Sequence, residues 1–125
     1  MKKIIPLITV LIVWTFFFSE CLAEYPKVQI GIASYYSNRF QNRLTANGER
    51  YLKNKLTAAH RFYPHGTVLR VTNLLNGKIV TVRVNDRGPF IKGRIIDLSA
   101  RAAQKISMIR KGIVKVKTEV IRLGK

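Results

Sequence analysis

A small, mainly β domain is what this chain predicts: about six short strands and one short helix, closed into a barrel. Three observations carry the prediction. Runs rich in Val, Ile and Thr alternate apolar with small or polar residues at a period of two. Gly, Asn and Pro punctuate the gaps between those runs. One segment alone, following Ser99, carries a helix-start signal. At 125 residues there is room for one domain, and no repeat or low-complexity stretch divides it.

Taken in order, the first strand is residues 28–36, where Val28, Ile30 and Ile32 alternate with small or polar residues. Residues 37–55 are polar and loop-like, with a turn at Asn47-Gly48. Leu56-Thr57-Ala58-Ala59-His60 is short, small and apolar, and residues 61–66 turn through Pro64. Thr67 to Asn73 is a clear strand. Leu75-Asn76-Gly77 reverses it, because Asn-Gly supplies the positive φ angles of a type I′ turn, and Lys78 to Val84 returns antiparallel. Arg94 to Leu98 is a short buried strand, and Ser99 caps a helix from Ala100 to about Ile106. Gly112 ends the next turn. Residues 113–121 close the chain as a strand with Val114, Val116 and Thr118 on one face.

Residues 1–23 read as a secretory signal peptide: basic Lys2 and Lys3, an apolar run from Ile4 to Phe18, then Cys21-Leu22-Ala23 ahead of a cut before Glu24. The run is short of the ~20 residues that span a bilayer comfortably. Cleavage leaves a domain at 24–125, exported to the periplasm or cell envelope. Lipidation of Cys21 is the second reading, since Glu20 suits it poorly; membrane association is expected only in that case. Cys21 is the only cysteine, so no disulfide staples the mature chain. Removing the leader takes away Lys2, Lys3 and Glu20 and leaves 21 basic and 5 acidic side chains, a net charge of +16. Such a surface favours anionic partners. For an exported protein an anionic wall polymer or membrane surface fits better than nucleic acid, for which no motif is present.

The strand from Lys78 runs into Val84-Asn85-Asp86-Arg87-Gly88-Pro89-Phe90, and Gly88-Pro89 cannot continue a central ladder. A carboxylate at a strand end, beside a guanidinium and before a rigid turn, is well placed for chemistry. The plainer reading is a strand-terminating turn whose Asp bonds its own backbone.

Six stretches in order resemble one family: Gly31-Ile32-Ala33-Ser34-Tyr35-Tyr36, Thr45-Ala46-Asn47-Gly48-Glu49, Leu56-Thr57-Ala58-Ala59-His60, Gly66 to Asn73, Val84 to Phe90, and Arg94-Ile95-Ile96-Asp97-Leu98-Ser99. Together they resemble the RlpA (rare lipoprotein A) family of bacterial cell-wall proteins over roughly residues 28–122. The resemblance implies a six-stranded double-psi β-barrel with one short helix. It also implies lytic transglycosylase activity on peptidoglycan, with a preference for glycan strands stripped of stem peptides, and ties activity to Glu49, His60 and Asp86. Many relatives add a C-terminal SPOR domain; none is expected here, which leaves septal targeting without a carrier.

A lytic transglycosylase protonates the leaving oxygen and lets the muramoyl C6 hydroxyl attack the anomeric carbon, so one carboxyl can serve as acid and then base. Asp86 is the first choice for that group. It needs a raised pKa from burial or a neighbouring carboxylate. Glu49 either supplies that neighbour or is a loop surface charge, and both readings stay open. His60 is placed to bond a carboxylate or a sugar hydroxyl, or is simply a structural hydrogen-bonder. Asp97 is expected to cap the helix, with a place in the groove as its second reading; a related carboxylate is catalytic in endoglucanases of this fold. Tyr35, Tyr36 and Phe90 are candidates to stack on sugar rings, or are core, with Phe90 plugging the barrel end. Asn85 and Arg87 complete the expected substrate-binding set, with Arg87 pointing away from Asp86. Two histidines and few carboxylates make a poor metal site, so neither metal nor cofactor is expected. The runner-up function is a non-catalytic, expansin-like glycan-binding or wall-loosening module. A monomer is expected in either case.

Overall fold

The computed structural model describes residues 25–125; the leader, Cys21 and the cut before Glu24 lie outside the described residues. Six strands form: β1 (Val28–Tyr35), β2 (Thr57–His60), β3 (Val68–Asn73), β4 (Ile79–Asp86), β5 (Arg94–Leu98) and β6 (Val114–Arg122). A 3-10 turn spans Asn38–Phe40, and one helix, α1 (Ala100–Lys105), follows β5. The strands close in the order β1-β5-β2-β4-β3-β6, so no sheet edge is left open along the ring. β1 runs parallel to β5 and β2 parallel to β4, while the other neighbours are antiparallel.

The alternation read in the sequence becomes the inside and outside of this ring. Along β4, Val80, Val82 and Val84 are buried while Ile79 and Thr81 face out. Leu69 and Val71 from β3, Ile96 and Leu98 from β5, and Val116 from β6 join them in one core. The short α1 buries Ala102 and Ala103 against the same core, together with Ile106 and Met108 beyond it. Alanine suits that face because small side chains let the helix backbone lie close to the strands.

Two local expectations are corrected. The β3–β4 hairpin is real, but its turn is not type I′. Four residues bridge Asn73 and Lys78, whose backbone bond is 2.8 Å, and within the turn only Gly77 has positive φ. Asn76 is held elsewhere: its Oδ1 accepts from the Lys78 N–H at 2.9 Å and its Nδ2 donates to the Ile106 carbonyl at 3.0 Å. The second concerns the helix start. Ser99 is the N-cap of α1, its Oγ accepting from the Ala102 N–H at 3.2 Å and donating to the Lys55 carbonyl at 2.5 Å, while the Tyr51 hydroxyl and the Lys53 carbonyl accept from the Ala100 and Arg101 N–H groups at 3.1 and 2.9 Å. Asp97 takes no part in the cap.

Leu69 is fully buried at the centre of this core. Leu69→Ala is expected to lower unfolding free energy by about 2–5 kcal/mol, from lost burial plus the cavity left behind. Urea denaturation followed by circular dichroism checks it; an unchanged midpoint would mean that the barrel interior collapses freely around the vacancy.

Candidate active site

The pairing register lines up one row of residues across four adjacent strands. Ser34 of β1 lies opposite Asp97 of β5, Asp97 opposite Ala59 of β2, and Ala59 opposite Asp86 of β4. Two strand spacings put the Asp86 and Asp97 backbones about 10 Å apart. The buried Ala59 between them is too small to fill the gap. Above this row lies an open cleft of about 540 Å³ that both carboxyls line, and no other Asp or Glu of the described chain lines it.

Each aspartate is held differently. Asp86 gathers three donors: the Tyr36 hydroxyl to Oδ2 at 2.5 Å, and the Ala46 and Arg87 backbone N–H groups to Oδ1 at 2.8 and 2.9 Å. β1, the 45–49 turn and the end of β4 thus meet at one carboxyl. Asp97 accepts from the Ser34 hydroxyl. Burial pushes the Asp97 carboxyl above its usual range, with Asp86 adding to the rise, against smaller opposing effects of the Ser34 bond and Arg94. Tyr36 keeps its proton: burial, then the bond to Asp86, pushes its hydroxyl far up.

The aromatic expectations divide. Tyr36 lines the cleft, but its ring stacks on Tyr51 at 4.4 Å and meets the edge of Phe40 at 5.8 Å, so it positions Asp86 rather than offering a free face. Tyr35 lines the cleft and donates its hydroxyl to the Ile109 carbonyl at 2.9 Å. Phe90 plugs nothing: it is 78% exposed and outside the cleft. Arg87 reaches the cleft wall but donates to the Tyr63 and His60 carbonyls at 2.8 and 3.2 Å, directed away from Asp86 as expected.

Glu49 does not join Asp86. Arg83 grips its carboxylate with both terminal nitrogens, at 2.6 and 2.7 Å, and Asn47 adds a third bond at 2.6 Å. The Arg83 bond, foremost, lowers the Glu49 pKa to about 2. Glu49 therefore lines a neighbouring groove with Arg83 and the buried Asn85, and pins the turn from which Ala46 reaches Asp86. His60 is closed off as well, at 1% exposure. Its Nδ1 accepts from the Phe62 and Tyr63 N–H groups at 3.2 Å, so Nε2 carries the proton and donates to Gln29 at 2.7 Å. The ring also stacks on Tyr63 at 4.1 Å.

Sequence reasoning missed Arg39, Phe40, Arg43 and Arg94 as cleft residues. The available signal was position: residues 37–43 directly follow the end of β1, at the same end of the barrel as Asp86.

Two carboxyls across a cleft, one biased toward its protonated form and the other fixed by three donors, are equipped one to give a proton and the other to take one. The family described as lytic transglycolase matches residues 28–118.

The chain belongs to the lytic transglycolase family.

Among relatives of this lytic transglycolase domain, the endolytic peptidoglycan transglycosylase RlpA of Campylobacter jejuni is 56% identical over 94 residues, covering 75% of this chain and 34% of that protein. The protein of the same name from Neisseria meningitidis is 53% identical over 96 residues, 77% of this chain and 40% of that one. The chain spans about a third of the length of the curated relatives it matches. Among solved structures, a Streptomyces papain inhibitor superposes with TM-score 0.63 at 21% identity, covering 76% of this chain and 94% of that one. Apo Clavibacter michiganensis expansin gives 0.61 at 22% identity, over 78% and 52%. These likenesses establish the fold, an RlpA-like double-psi β-barrel.

Burial, foremost, with Arg61 and Arg87 nearby, lowers the His60 pKa to about 4. An unfolded histidine takes its proton near pH 6.5, so between those values the unfolded chain binds more protons than the folded one. The stability tied to a neutral His60 is whole above about pH 6.5 and drains away as pH falls toward 4. An NMR titration of the His60 imidazole is expected to show a midpoint near 4 and a falling melting temperature over the same window; a midpoint near 6.5 would mean a ring open to water.

Proposed function

We propose that this domain is an endolytic peptidoglycan lytic transglycosylase, cleaving the bond between N-acetylmuramic acid and N-acetylglucosamine and leaving a 1,6-anhydro-muramoyl end. The observation that carries the reading is the Asp97–Ala59–Asp86 row beneath the cleft. Asp97, biased toward its protonated form, gives its proton to the leaving glycosidic oxygen as the C1–O bond breaks. Asp86 accepts the proton of the muramoyl C6 hydroxyl as that oxygen bonds to C1. Solvent then returns the proton from Asp86 to Asp97, and no water is consumed. Asp86 keeps the base role that one carboxyl alone was expected to combine with the acid role, and Asp97 takes the acid role.

The names of the relatives support the reaction class. The preference for strands without stem peptides, action as a monomer and export to the periplasm belong to the same proposal; the signal-peptide layout of residues 1–23 supports export.

Mass spectrometry of sacculi digested with the protein tests the reaction. Anhydro-muramoyl ends, lost with Asp86→Asn, are the expected products. Reducing muramoyl ends would mean hydrolysis, and co-sedimentation without products would move the reading to an expansin-like binding module. Asp97→Asn is expected to cut turnover at least about 100-fold while leaving KM nearly unchanged. In the unmodified protein cleavage should fall as pH rises through the raised Asp97 pKa. Full turnover in Asp97→Asn would return both roles to Asp86.

Glu49 enters as a positioning residue. Glu49→Gln should lower turnover about tenfold, or ~1.4 kcal/mol, by freeing the turn that delivers Ala46 to Asp86. Reversing the pair, Glu49→Arg with Arg83→Glu, should recover part of it. Equal losses in the single and reversed variants would mean that Glu49 acts in some way other than through Arg83.

A further inference from the structure

The cleft holds more positive charge than its two carboxyls require. Four arginines line it: Arg39, Arg43, Arg87 and Arg94. Arg87 is taken by two backbone carbonyls, and Arg94 acts electrostatically on Asp97. Arg39 and Arg43 are different. Both guanidiniums lie against the Phe40 ring, their central carbons 5.1 and 5.4 Å from its centroid. Both residues are exposed. Among the described residues the salt bridges are Arg83–Glu49 and Lys117–Glu119, so neither arginine has an acidic partner, and neither side chain makes a hydrogen bond.

Their segment is nevertheless tied down. Ser37 caps the 3-10 turn, the Asn42 N–H donates to the Tyr51 carbonyl at 2.8 Å, and Arg50 donates to the Asn42 carbonyl at 2.9 Å. The Gln41 side chain accepts from the Lys53 N–H at 2.8 Å. Two like charges gathered on one aromatic ring repel each other, and a bound anion relieves that repulsion. Guanidinium forks match a carboxylate in shape as well as charge. A neutral sugar chain offers such a pair hydrogen-bond acceptors but no charge to offset its repulsion.

Resting on the transglycosylase reading, we propose that Arg39 and Arg43, held on Phe40, form a subsite for the free lactyl carboxylate of a muramoyl residue. A stem peptide converts that carboxylate to a neutral amide. The pair therefore reads whether the peptide has been removed, and supplies a physical cause for a preference for stripped strands. The reaction class that must act first is amide hydrolysis at the lactyl group.

The test is isothermal titration of the Asp86→Asn protein with three probes: an N-acetylglucosamine–N-acetylmuramic acid tetrasaccharide with free lactyl acids, the same tetrasaccharide as its lactyl methylamide, and chitotetraose. The acid is expected to bind about tenfold tighter than the amide, with the gap narrowing as sodium chloride is raised. Arg39→Gln with Arg43→Gln should bring the acid down to the affinity of the amide without changing the amide. Arg39→Lys with Arg43→Lys, which keeps the charge but loses the fork, should fall between. Equal binding of acid and amide, or a preference that survives the double Gln variant, would overturn the subsite. Anhydro-muramoyl products forming equally fast from free-acid and amidated strands would do the same while leaving the transglycosylase reading standing. Binding to none of the three probes would overturn both.

Discussion

The register between β2 and its two neighbours is the constraint on which the site depends. β2 is only four residues long, yet it pairs parallel with β4 on one side and antiparallel with β5 on the other. That double pairing makes Ala59 the shared neighbour of Asp86 and Asp97. Side chains alternate faces along a strand, so a slip of one residue at either seam would turn one aspartate out of the row. Register is strongly specified where one face is buried, and all four residues of β2 are buried. The backbone positions of the two aspartates are thus set by core packing.

The loops then complete what the strands begin. Asp86 sits at the last position of β4, where the sheet no longer supplies partners on every side. Its donors come from Tyr36, just past the end of β1, and from Ala46 in the 45–49 turn. That turn is fastened at its far side by the Glu49–Arg83 pair, whose side chains are about two-fifths exposed. Exposed pairs contribute little to overall stability. The value of this one lies in geometry: a two-pronged grip fixes direction as well as distance. The same reasoning separates His60 from the cleft. Its polar atoms are all spent on Gln29 and two backbone amides, which rigidify the 60–63 turn and leave nothing for a ligand.

Much of the barrel was legible because period-two alternation reports a half-buried strand directly. β5 matches its expected bounds, and β1, β3, β4 and β6 differ by a residue or two at their ends, as with β4 running on to Asp86, while β2 forms in a stretch read only as short and apolar. The site was legible only in part. Asp86 could be singled out because Gly88-Pro89 marks the strand end within its own neighbourhood. Asp97 was legible only as a second reading, since its carboxyl meets Ser34 on the adjacent strand β1, 63 positions away, and local context pointed to the cap that Ser99 provides. Glu49 stayed open between two readings for a similar reason. Its partner is Arg83, a residue within a strand that no motif marks, and that pairing is invisible until the 45–49 turn folds over β4.

Charge gives the last link between fold and proposed substrate. The described acids are few, and Glu49 and Glu119 each already pair with a neighbouring cation. The two that line the cleft are not neutralised by a salt bridge, although four arginines line it with them. Had those arginines served only to pair the aspartates, at least one close carboxylate–guanidinium contact would stand in the cleft. Instead Asp86 is satisfied by neutral donors and Asp97 by a serine hydroxyl. That separation keeps the carboxyls available for proton transfer, because a guanidinium in direct contact would favour the charged form of Asp97 and oppose its protonation. It also leaves Arg39 and Arg43 free to meet an anion that arrives with the ligand. On the proposed reading one cleft holds two chemically distinct ends, one for moving a proton and one for recognising negative charge, joined through the Tyr36–Phe40 contact: Tyr36 bonds Asp86, and Phe40 carries Arg39 and Arg43.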